Sequence, residues 1–251
     1  MKKILSLFVL FINIGTGCST DRVLLEEEEI IQETETKIPN ENIESEATTQ
    51  THFKILALGD SYTIGYGVCE TCRFPEQLKQ QLISETNSNK EFELKIIAQS
   101  GWTTNNLLSS LNTQNDLIDF DLVTLLIGVN NQYQNLPFSV YETEFPQLIA
   151  KAILYAKSNK NNLMVISIPD YAFTPFGGGN SNISADINKY NDFAQNYCTI
   201  NNIAFINITD ISRMGLEDPN LVASDGLHPS ELAYSKFVER ILPIAIQKLK
   251  L

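Results

Sequence analysis

Histidine and basic residues are scarce in this chain of 251 residues. It has two histidines, His52 and His228, and 18 Lys and Arg against 30 Asp and Glu, which gives a net charge of -12. Binding to nucleic acid requires clusters of Lys and Arg that neutralise phosphates, and the sequence has none, so this partner is excluded. With only four cysteines the chain also lacks a second Cys/His pair for a zinc site.

Long hydrophobic runs are absent after the N-terminus, so no later segment is predicted to cross a membrane. Two lysines and the short apolar stretch Ile4–Ile14 precede three small residues and Cys18. This pattern predicts a lipoprotein signal peptide over residues 1–17, with Cys18 as the lipidated first residue of the mature chain. Gly15 stands where such signals usually have Leu, and a plain secretory signal is the alternative. Either signal predicts export, and a lipid on Cys18 would anchor the protein to the membrane of the bacterial envelope, in the periplasm or at the cell surface.

Residues 18–52 have few side chains that a core would bury. They are rich in Glu, Thr, Gln and Asn, include the run Glu26–Glu29, and carry much of the negative charge of the chain. This composition predicts a disordered acidic tether, and four scattered isoleucines leave a short transient helix as the alternative. The remaining residues, 53–251, are predicted to form one mildly acidic domain, so the net charge says little about its ligand.

Two of the four cysteines, Cys69 and Cys72, form a C-x-x-C pattern in a glycine-rich loop. In an oxidising compartment this pattern favours a local structural disulfide, with a redox or metal-binding role as the alternative. Cys198 is interpreted as a buried free thiol on a helix.

Apolar strand-like runs alternate with helical segments along the domain. The runs cover residues 53–58, 92–98, 122–127, 163–168 and 203–208, and the helical segments cover 75–84, 104–111, 138–157, 185–201 and about 230–250. Such alternation predicts parallel strands joined by right-handed crossovers. We therefore predict an α/β fold, a three-layer α/β/α sandwich with a mostly five-stranded parallel sheet of the flavodoxin-like kind. Active groups are expected at the carboxyl ends of its strands.

Four polar segments follow these elements in order. Gly59-Asp60-Ser61 ends the first strand, Gly101 follows the second, Asn130-Asn131 follows the third, and Asp225-Gly226-Leu227-His228-Pro229 precedes the last helix. Each segment alone also fits an ordinary cap, turn or loop. A serine after a buried strand and the only histidine of the domain, with an aspartate three residues before it, are nevertheless the components of a Ser-His-Asp hydrolase.

As a set, the four segments resemble the SGNH (GDSL-type) hydrolases, whose sequence blocks are G-D-S, a lone Gly, G-x-N-D and D-x-x-H-P. The resemblance covers residues 54–250 and implies the fold of that family. It also implies that Ser61 is the nucleophile, that His228 is the general base and that Asp225 orients the imidazole ring.

The resemblance further implies an oxyanion hole formed by Ser61, Gly101 and Asn130. One position departs from the family, because Asn131 stands where the family usually has Asp. In the family that Asp is mainly supportive, so the change concerns local hydrogen bonding more than the mechanism.

The function implied is a serine esterase that cleaves acyl or acetyl esters of envelope or extracellular glycans or lipids. It needs no cofactor or metal. The sequence does not define the oligomeric state, and we expect a monomer. Two alternatives stay open, a non-catalytic glycan-binding surface lipoprotein and an acyltransferase that uses the same site. Trp102, Tyr133 and Tyr171 follow strand ends and are candidates for lining the cleft, with packing in the core or at its rim as the alternative. Residues 170–179 are interpreted as a mobile loop beside the site or as an ordinary surface loop.

Overall fold

The computed structural model of the protein describes residues 50–114 and 116–251. The predicted signal peptide, Cys18 and nearly all of the predicted tether lie outside the described residues, and those interpretations stay predictions. The first strand begins at His52, and the Gln50 side chain donates to Asp121 Oδ1 at 2.9 Å. The described domain therefore includes residues just before the predicted boundary at 53.

Five parallel strands form one sheet in the order β2-β1-β3-β4-β5. They are β1 (His52–Gly59), β2 (Glu91–Ala98), β3 (Leu122–Leu126), β4 (Leu163–Ile166) and β5 (Ala204–Ile206). The predicted α/β fold with a five-stranded parallel sheet is confirmed. The order reverses between β1 and β3, and in sheets of this kind ligands bind outside the carboxyl ends of the strands at that reversal.

Helices cover both faces of the sheet. They are α1 (Ser61–Ile64), α2 (Phe74–Glu85), α3 (Thr104–Asn112), α4 (Val129–Tyr133), α5 (Phe138–Tyr155), α6 (Ser181–Asn201), α7 (Thr209–Ser212) and α8 (Glu231–Leu249). One helical layer contains α2 packed against α8, and the other contains α5 packed against α3 and α6. None of the described helices is long and apolar enough to cross a membrane.

Burial along the strands explains the apolar runs of the sequence. All five residues of β3 are buried, as expected for a central strand covered by helices on both faces. The edge strand β2 instead carries Glu91, Glu93 and Lys95 on partly exposed positions. Charged side chains on an edge strand oppose pairing with another chain.

Three short helices were not predicted as helices, although the segment after Ser61 was expected to form a turn or a helix start. The helices α1, α4 and α7 contain only four or five residues each, too few to show a hydrophobic period. Pro229 lies directly before the N-cap Ser230 of α8 and forms an antiparallel bridge with Val222.

Candidate active site

A cavity of about 370 Å³ lies where β1, β2 and β3 end. Its lining residues are Ser61, Tyr62, Tyr66, Ser100, Gly101, Val129, Asn130, Tyr133, Tyr171, Leu227 and His228. Four of the predicted site residues, Ser61, Gly101, Asn130 and His228, thus come together from distant parts of the sequence. The cavity lies at the reversal of the strand order, where this topology places ligand sites.

Ser61 is presented by a tight turn from β1 into α1. It is the first residue of α1, where a backbone N–H has no partner within its own helix. Asp60 is the N-cap of this helix, and its Oδ1 accepts a hydrogen bond from the Tyr62 N–H at 3.0 Å. The Ser61 side chain is almost buried and faces the cavity.

The Asp60 carboxyl group is completely buried beneath the nucleophile. Its Oδ2 has no hydrogen-bond partner among the described residues. Burial raises the pKa of Asp60 to about 7, against the opposing effect of nearby backbone N–H groups such as that of Tyr62. The carboxyl group is therefore protonated in the folded protein below neutral pH.

Replacing Asp60 by asparagine is expected to change how stability depends on pH. The folded-state pKa of Asp60 lies above its unfolded value, so between about pH 4 and 7 the folded protein binds a proton that the unfolded chain has released. This group thus lowers the free energy of unfolding by roughly 1 kcal/mol for each pH unit of increase near the middle of that range. Asn keeps the helix cap but cannot titrate.

The measurement is urea unfolding of wild type and Asp60→Asn at pH 5, 6 and 7. The wild-type stability should decline relative to that of the variant as the pH rises, because contributions from all other groups cancel in the difference. Parallel curves would show that the carboxyl group is ionised in the folded protein throughout this range.

The loop before α8 fixes the orientation of the His228 ring. His228 Nδ1 and Asp225 Oδ2 are 2.6 Å apart, and Asp225 Oδ1 accepts from the backbone N–H groups of Leu227 at 2.9 Å and His228 at 3.0 Å. Gly226, with φ of +73°, lets the chain turn back on itself. Partial burial raises the pKa of Asp225, but these three hydrogen bonds outweigh it and hold the pKa below its ordinary value. An ionised Asp225 places the ring proton on Nδ1 and leaves Nε2 as the acceptor.

His228 lies beside the helix that carries the serine. Its ring centroid is 5.8 Å from that of Tyr62, the residue after Ser61, and 4.9 Å from that of Tyr66. Among the described residues no hydrogen bond joins Ser61 Oγ to the His228 ring, although both line the same cavity. Catalytic hydrogen bonds of this kind are often long without substrate and shorten when it binds.

Gly101 and Asn130 supply polar N–H groups to the same cavity. Gly101 has φ of +81°, a conformation that favours glycine, and its N–H has no acceptor among the described residues. Asn130 Nδ2 donates one hydrogen to the Trp102 carbonyl at 3.0 Å, which fixes the amide and leaves its second hydrogen available. Gln134 Nε2 also donates to the Gly101 carbonyl at 3.0 Å, so the two segments are joined twice.

Asn131, the departure from the family pattern, is fully buried and joins α4 to α3. Its Oδ1 accepts from the Thr104 N–H at 2.9 Å, and its Nδ2 donates to Thr104 Oγ1 at 2.6 Å. The Thr104 hydroxyl then donates to Glu144. An amide suits this position because one atom must accept and the other must donate. Asn131 thus connects the two segments that carry Gly101 and Asn130.

The structure joins Cys69 and Cys72 in a disulfide with a Cα–Cα distance of 5.0 Å. Gly67, two residues before this disulfide, lies beside the catalytic loop, because a Cβ on Gly67 would be 3.4 Å from Asp225 Oδ2. Cys198 is a buried free thiol in α6, and burial raises its pKa to about 12. Among the described residues no group of three His, Cys, Asp or Glu side chains could hold a metal.

Two of the three aromatic residues predicted to line the cleft do so in the structure. Tyr133 and Tyr171 line the cavity, whereas Trp102 is half-buried against the core and does not line it. The sequence interpretation missed Tyr66, which follows the serine by five residues and packs on the His228 ring. Its position in a glycine-rich turn directly after the predicted nucleophile could have indicated that Tyr66 lies at the site.

Comparison with known families agrees with this geometry. Residues 57–236 match the model of the GDSL-like lipase/acylhydrolase family. The chain belongs to this family. It is therefore an enzyme that hydrolyses ester bonds, and the resemblance inferred from the four segments is confirmed. A comparison with curated proteins finds no match.

Solved structures share the fold at low sequence identity. A lipase/acylhydrolase from Enterococcus faecalis is 20% identical with a TM-score of 0.61, over 76% of this chain and 94% of that one. A family 3 carbohydrate esterase from Clostridium thermocellum is 20% identical with a TM-score of 0.59, over 79% and 98%. A psychrotrophic esterase from Pseudoalteromonas sp. is 18% identical with a TM-score of 0.58, over 79% and 99%.

Proposed function

We propose that this GDSL-like enzyme hydrolyses carboxylic esters through a covalent acyl-enzyme on Ser61. The observation that carries the proposal is that Ser61, Gly101, Asn130 and His228 line one cavity. Asp225 is hydrogen-bonded to Nδ1 of the His228 ring. A nucleophile, a base, a group that orients the base and N–H donors for an oxyanion are the set that acyl transfer requires. The related Pseudoalteromonas esterase was solved inhibited by monoethylphosphonate, and a phosphonate of this kind suits a serine nucleophile.

In this mechanism Ser61 Oγ attacks the ester carbonyl while His228 Nε2 accepts the proton of the Ser61 hydroxyl. The developing oxyanion is stabilised by N–H groups of Ser61, Gly101 and Asn130. His228 then returns the proton to the departing alcohol, and the acyl group remains on Ser61. Water, deprotonated by His228, attacks the acyl-enzyme. The bond between the acyl carbon and Ser61 Oγ breaks, His228 returns the proton to Ser61 Oγ, and the carboxylic acid leaves.

Replacing Asn130 by alanine is expected to lower kcat by about 100- to 1000-fold, because one donor to the oxyanion is lost. KM should change little, since the ground-state carbonyl needs that donor much less than the transition state does. Steady-state kinetics on a soluble ester measures both constants. Asn112→Ala, at an exposed position near the end of α3, is the matched control. A loss confined to KM would contradict the role assigned to Asn130.

The proposed substrates are acyl or acetyl esters of glycans or lipids in the envelope or outside the cell. The sequence pattern around Cys18 supports this choice, because an exported and lipid-anchored enzyme would meet acylated glycans, peptidoglycan and lysolipids. The similar structure from Clostridium thermocellum is a family 3 carbohydrate esterase, which supports the choice of a glycan ester.

The test is a hydrolysis screen over p-nitrophenyl esters of increasing acyl length, acetylated sugars and lysophospholipids. We expect acid release with at least one class and none above background with Ser61→Ala. Repeating the screen with sugar acceptors present would reveal an acyltransferase as an acylated acceptor without matching acid. Binding of a glycan without turnover of any ester would contradict the proposal.

A further inference from the structure

Three exposed aromatic side chains lie at or next to the active-site cavity. Tyr66, Tyr133 and Phe176 expose 53%, 52% and 55% of their surface, and no other Phe, Tyr or Trp in the part of the chain that the structure describes is exposed to this degree. Large aromatic side chains are seldom left in water without a binding role when they cluster. Their position beside Ser61 and His228 therefore suggests a ligand.

Two of these rings and a buried third one form what we call the aromatic wall: Tyr133, Tyr171 and Phe176. Their ring centroids are 6.1 Å apart for Tyr133 and Tyr171, 6.2 Å for Tyr133 and Phe176, and 6.3 Å for Tyr171 and Phe176. Aromatic pairs at such distances attract each other and hold their orientation. Tyr171 is buried, and its ring packs against the two exposed rings.

Hydrogen bonds fix the supporting ring. The Tyr171 hydroxyl donates to Gln132 Oε1 at 2.8 Å, and Gln132 Nε2 donates to Asp186 Oδ2 at 3.1 Å. The wall is therefore attached to α6, which carries Asp186, as well as to α4. A surface held in this way loses little conformational freedom when a ligand binds.

The wall is also attached to the catalytic groups on two sides. Tyr133 follows Asn130 by three residues in α4, so one helical turn separates the ring from the oxyanion donor. The Phe176 N–H donates to the carbonyl of Gly226 at 3.0 Å, within the loop between Asp225 and His228. A ligand on the wall would thus be held at a defined position relative to the ester bond being cleaved.

The other residues of the cavity argue against a long acyl chain as the ligand. Among the residues that the structure describes, Val129 and Leu227 are the only aliphatic side chains that line it. The exposed Leu154 and Ile200 lie near the ends of α5 and α6, helices that lead into the amino ends of β4 and β5, away from the site. The exposed Leu216 lies beside Gly179, in the loop that carries Phe176, but does not line the cavity. The cavity volume is near the lower limit of about 300 Å³ for small-molecule sites.

Charge argues against a phospholipid head group. No Lys or Arg is among the described residues that line the cavity, so nothing there would pair with a phosphate. A neutral pyranose ring fits the aromatic wall better than a phospholipid head group does. Its C–H faces can stack on the negative faces of aromatic rings, and its hydroxyl groups can remain in contact with polar groups and water.

We propose that the aromatic wall is a subsite for a pyranose ring, so that the ester cleaved at Ser61 is an acyl group carried by a glycan. This proposal rests on the esterase function proposed above. It assigns Tyr133 and Phe176 as residues that determine specificity, and neither belongs to the four segments that define the family resemblance.

The test compares two substrates that share an acetyl group. Acetylated xylo-oligosaccharides present a pyranose ring, and ethyl acetate presents none. Ethyl acetate is preferred to a nitrophenyl ester because a nitrophenyl ring would itself stack on the wall. Acid release is followed in both cases for wild type, Tyr133→Ala, Phe176→Ala, the conservative Tyr133→Phe and the control Leu154→Ala, which changes an exposed side chain on α5.

We expect the ratio of kcat/KM for the oligosaccharide to kcat/KM for ethyl acetate to fall about 10- to 100-fold in both alanine variants, mainly through KM. Tyr133→Phe should keep most of the ratio, and Leu154→Ala all of it. An unchanged ratio in the alanine variants overturns the proposal, as does a selective loss on octanoyl or palmitoyl esters, which would make the wall an acyl-chain site. If wild type hydrolyses neither acetate but cleaves another ester of the screen above, the pyranose subsite is overturned. If it cleaves no ester of that screen, the esterase function itself is contradicted.

Discussion

Replacing Ser61 by alanine is expected to lower kcat for ester hydrolysis by about 10⁵- to 10⁶-fold, the largest effect that we predict. The variant has no oxygen to form the acyl-enzyme. Among the described residues that line the cavity, Ser100 is the only other serine or cysteine. Substrate binding should persist, because the lost hydroxyl is a small part of the cavity surface. The measurement is kcat and KM on the best ester from the substrate screen.

The control for this experiment is Ser109→Ala, at an exposed position in α3. It removes the same group outside the cavity and should keep full activity. Circular dichroism of both variants would establish that each is folded. Activity of Ser61→Ala within tenfold of wild type would mean that another group performs the attack, with Ser100 as the next residue to replace.

Replacing Asp225 by asparagine is expected to lower kcat by about 10⁴-fold. The side chain keeps its size, and Asn Oδ1 can still accept from the Leu227 and His228 N–H groups, so the loop should keep its shape. The amide, however, presents an N–H to His228 Nδ1 instead of an oxygen. The ring would then carry its proton on Nε2, where it cannot accept the proton of Ser61.

The pH dependence of this loss distinguishes a catalytic effect from a structural one. Hydrogen bonds hold the pKa of Asp225 below its ordinary value, so wild type keeps this carboxylate ionised at and above pH 5. The loss in Asp225→Asn should therefore persist from pH 5 to pH 9. Asp192→Asn, at an exposed position on α6, changes the net charge equally and should have no effect. Recovery of activity at any pH in this range would contradict the role of Asp225.

The strands and long helices could be predicted because burial on both faces of the sheet makes their apolar runs nearly continuous. β3 is the clearest case, since all its residues are buried and its end leads directly to Asn130. Parallel strands end on one edge, so segments that follow successive strands were expected to converge, and they do. The last helix was predicted within one residue at each end, because Ser230 is a strong N-cap.

Other features depend on packing between remote segments and could not be inferred. Nothing local shows that Tyr133 and Phe176 would pack against each other beside the cavity, because their contact joins the end of α4 to the loop after β4. The hydrogen bonds between Asn131 and Thr104 likewise depend on α3 beginning beside α4. Burial of Asp60 follows from its position beneath the strand ends, whereas the sequence around it indicates only a helix cap.

The catalytic loop with Asp225 and His228 is contacted from two directions, by Tyr66 near the disulfide and by Phe176 of the aromatic wall. Tyr66, whose ring packs on His228, lies three residues before Cys69, which forms a disulfide with Cys72. Phe176 is attached to the same catalytic loop from the other direction through Gly226. The segment that carries Asp225 and His228 is therefore held between two neighbouring loops, which helps to keep the imidazole in place through several rounds of proton transfer.

Covalent labelling with a fluorophosphonate, followed by identification of the modified peptide by mass spectrometry, tests the central claim most directly. Three proteins are compared: wild type, Asp225→Asn and Ser61→Ala. We predict one phosphonate per wild-type molecule, attached to Ser61, much slower labelling of Asp225→Asn, and none of Ser61→Ala. Label on another residue, or an unmodified Ser61 in an enzyme that the probe has fully inhibited, would contradict the account.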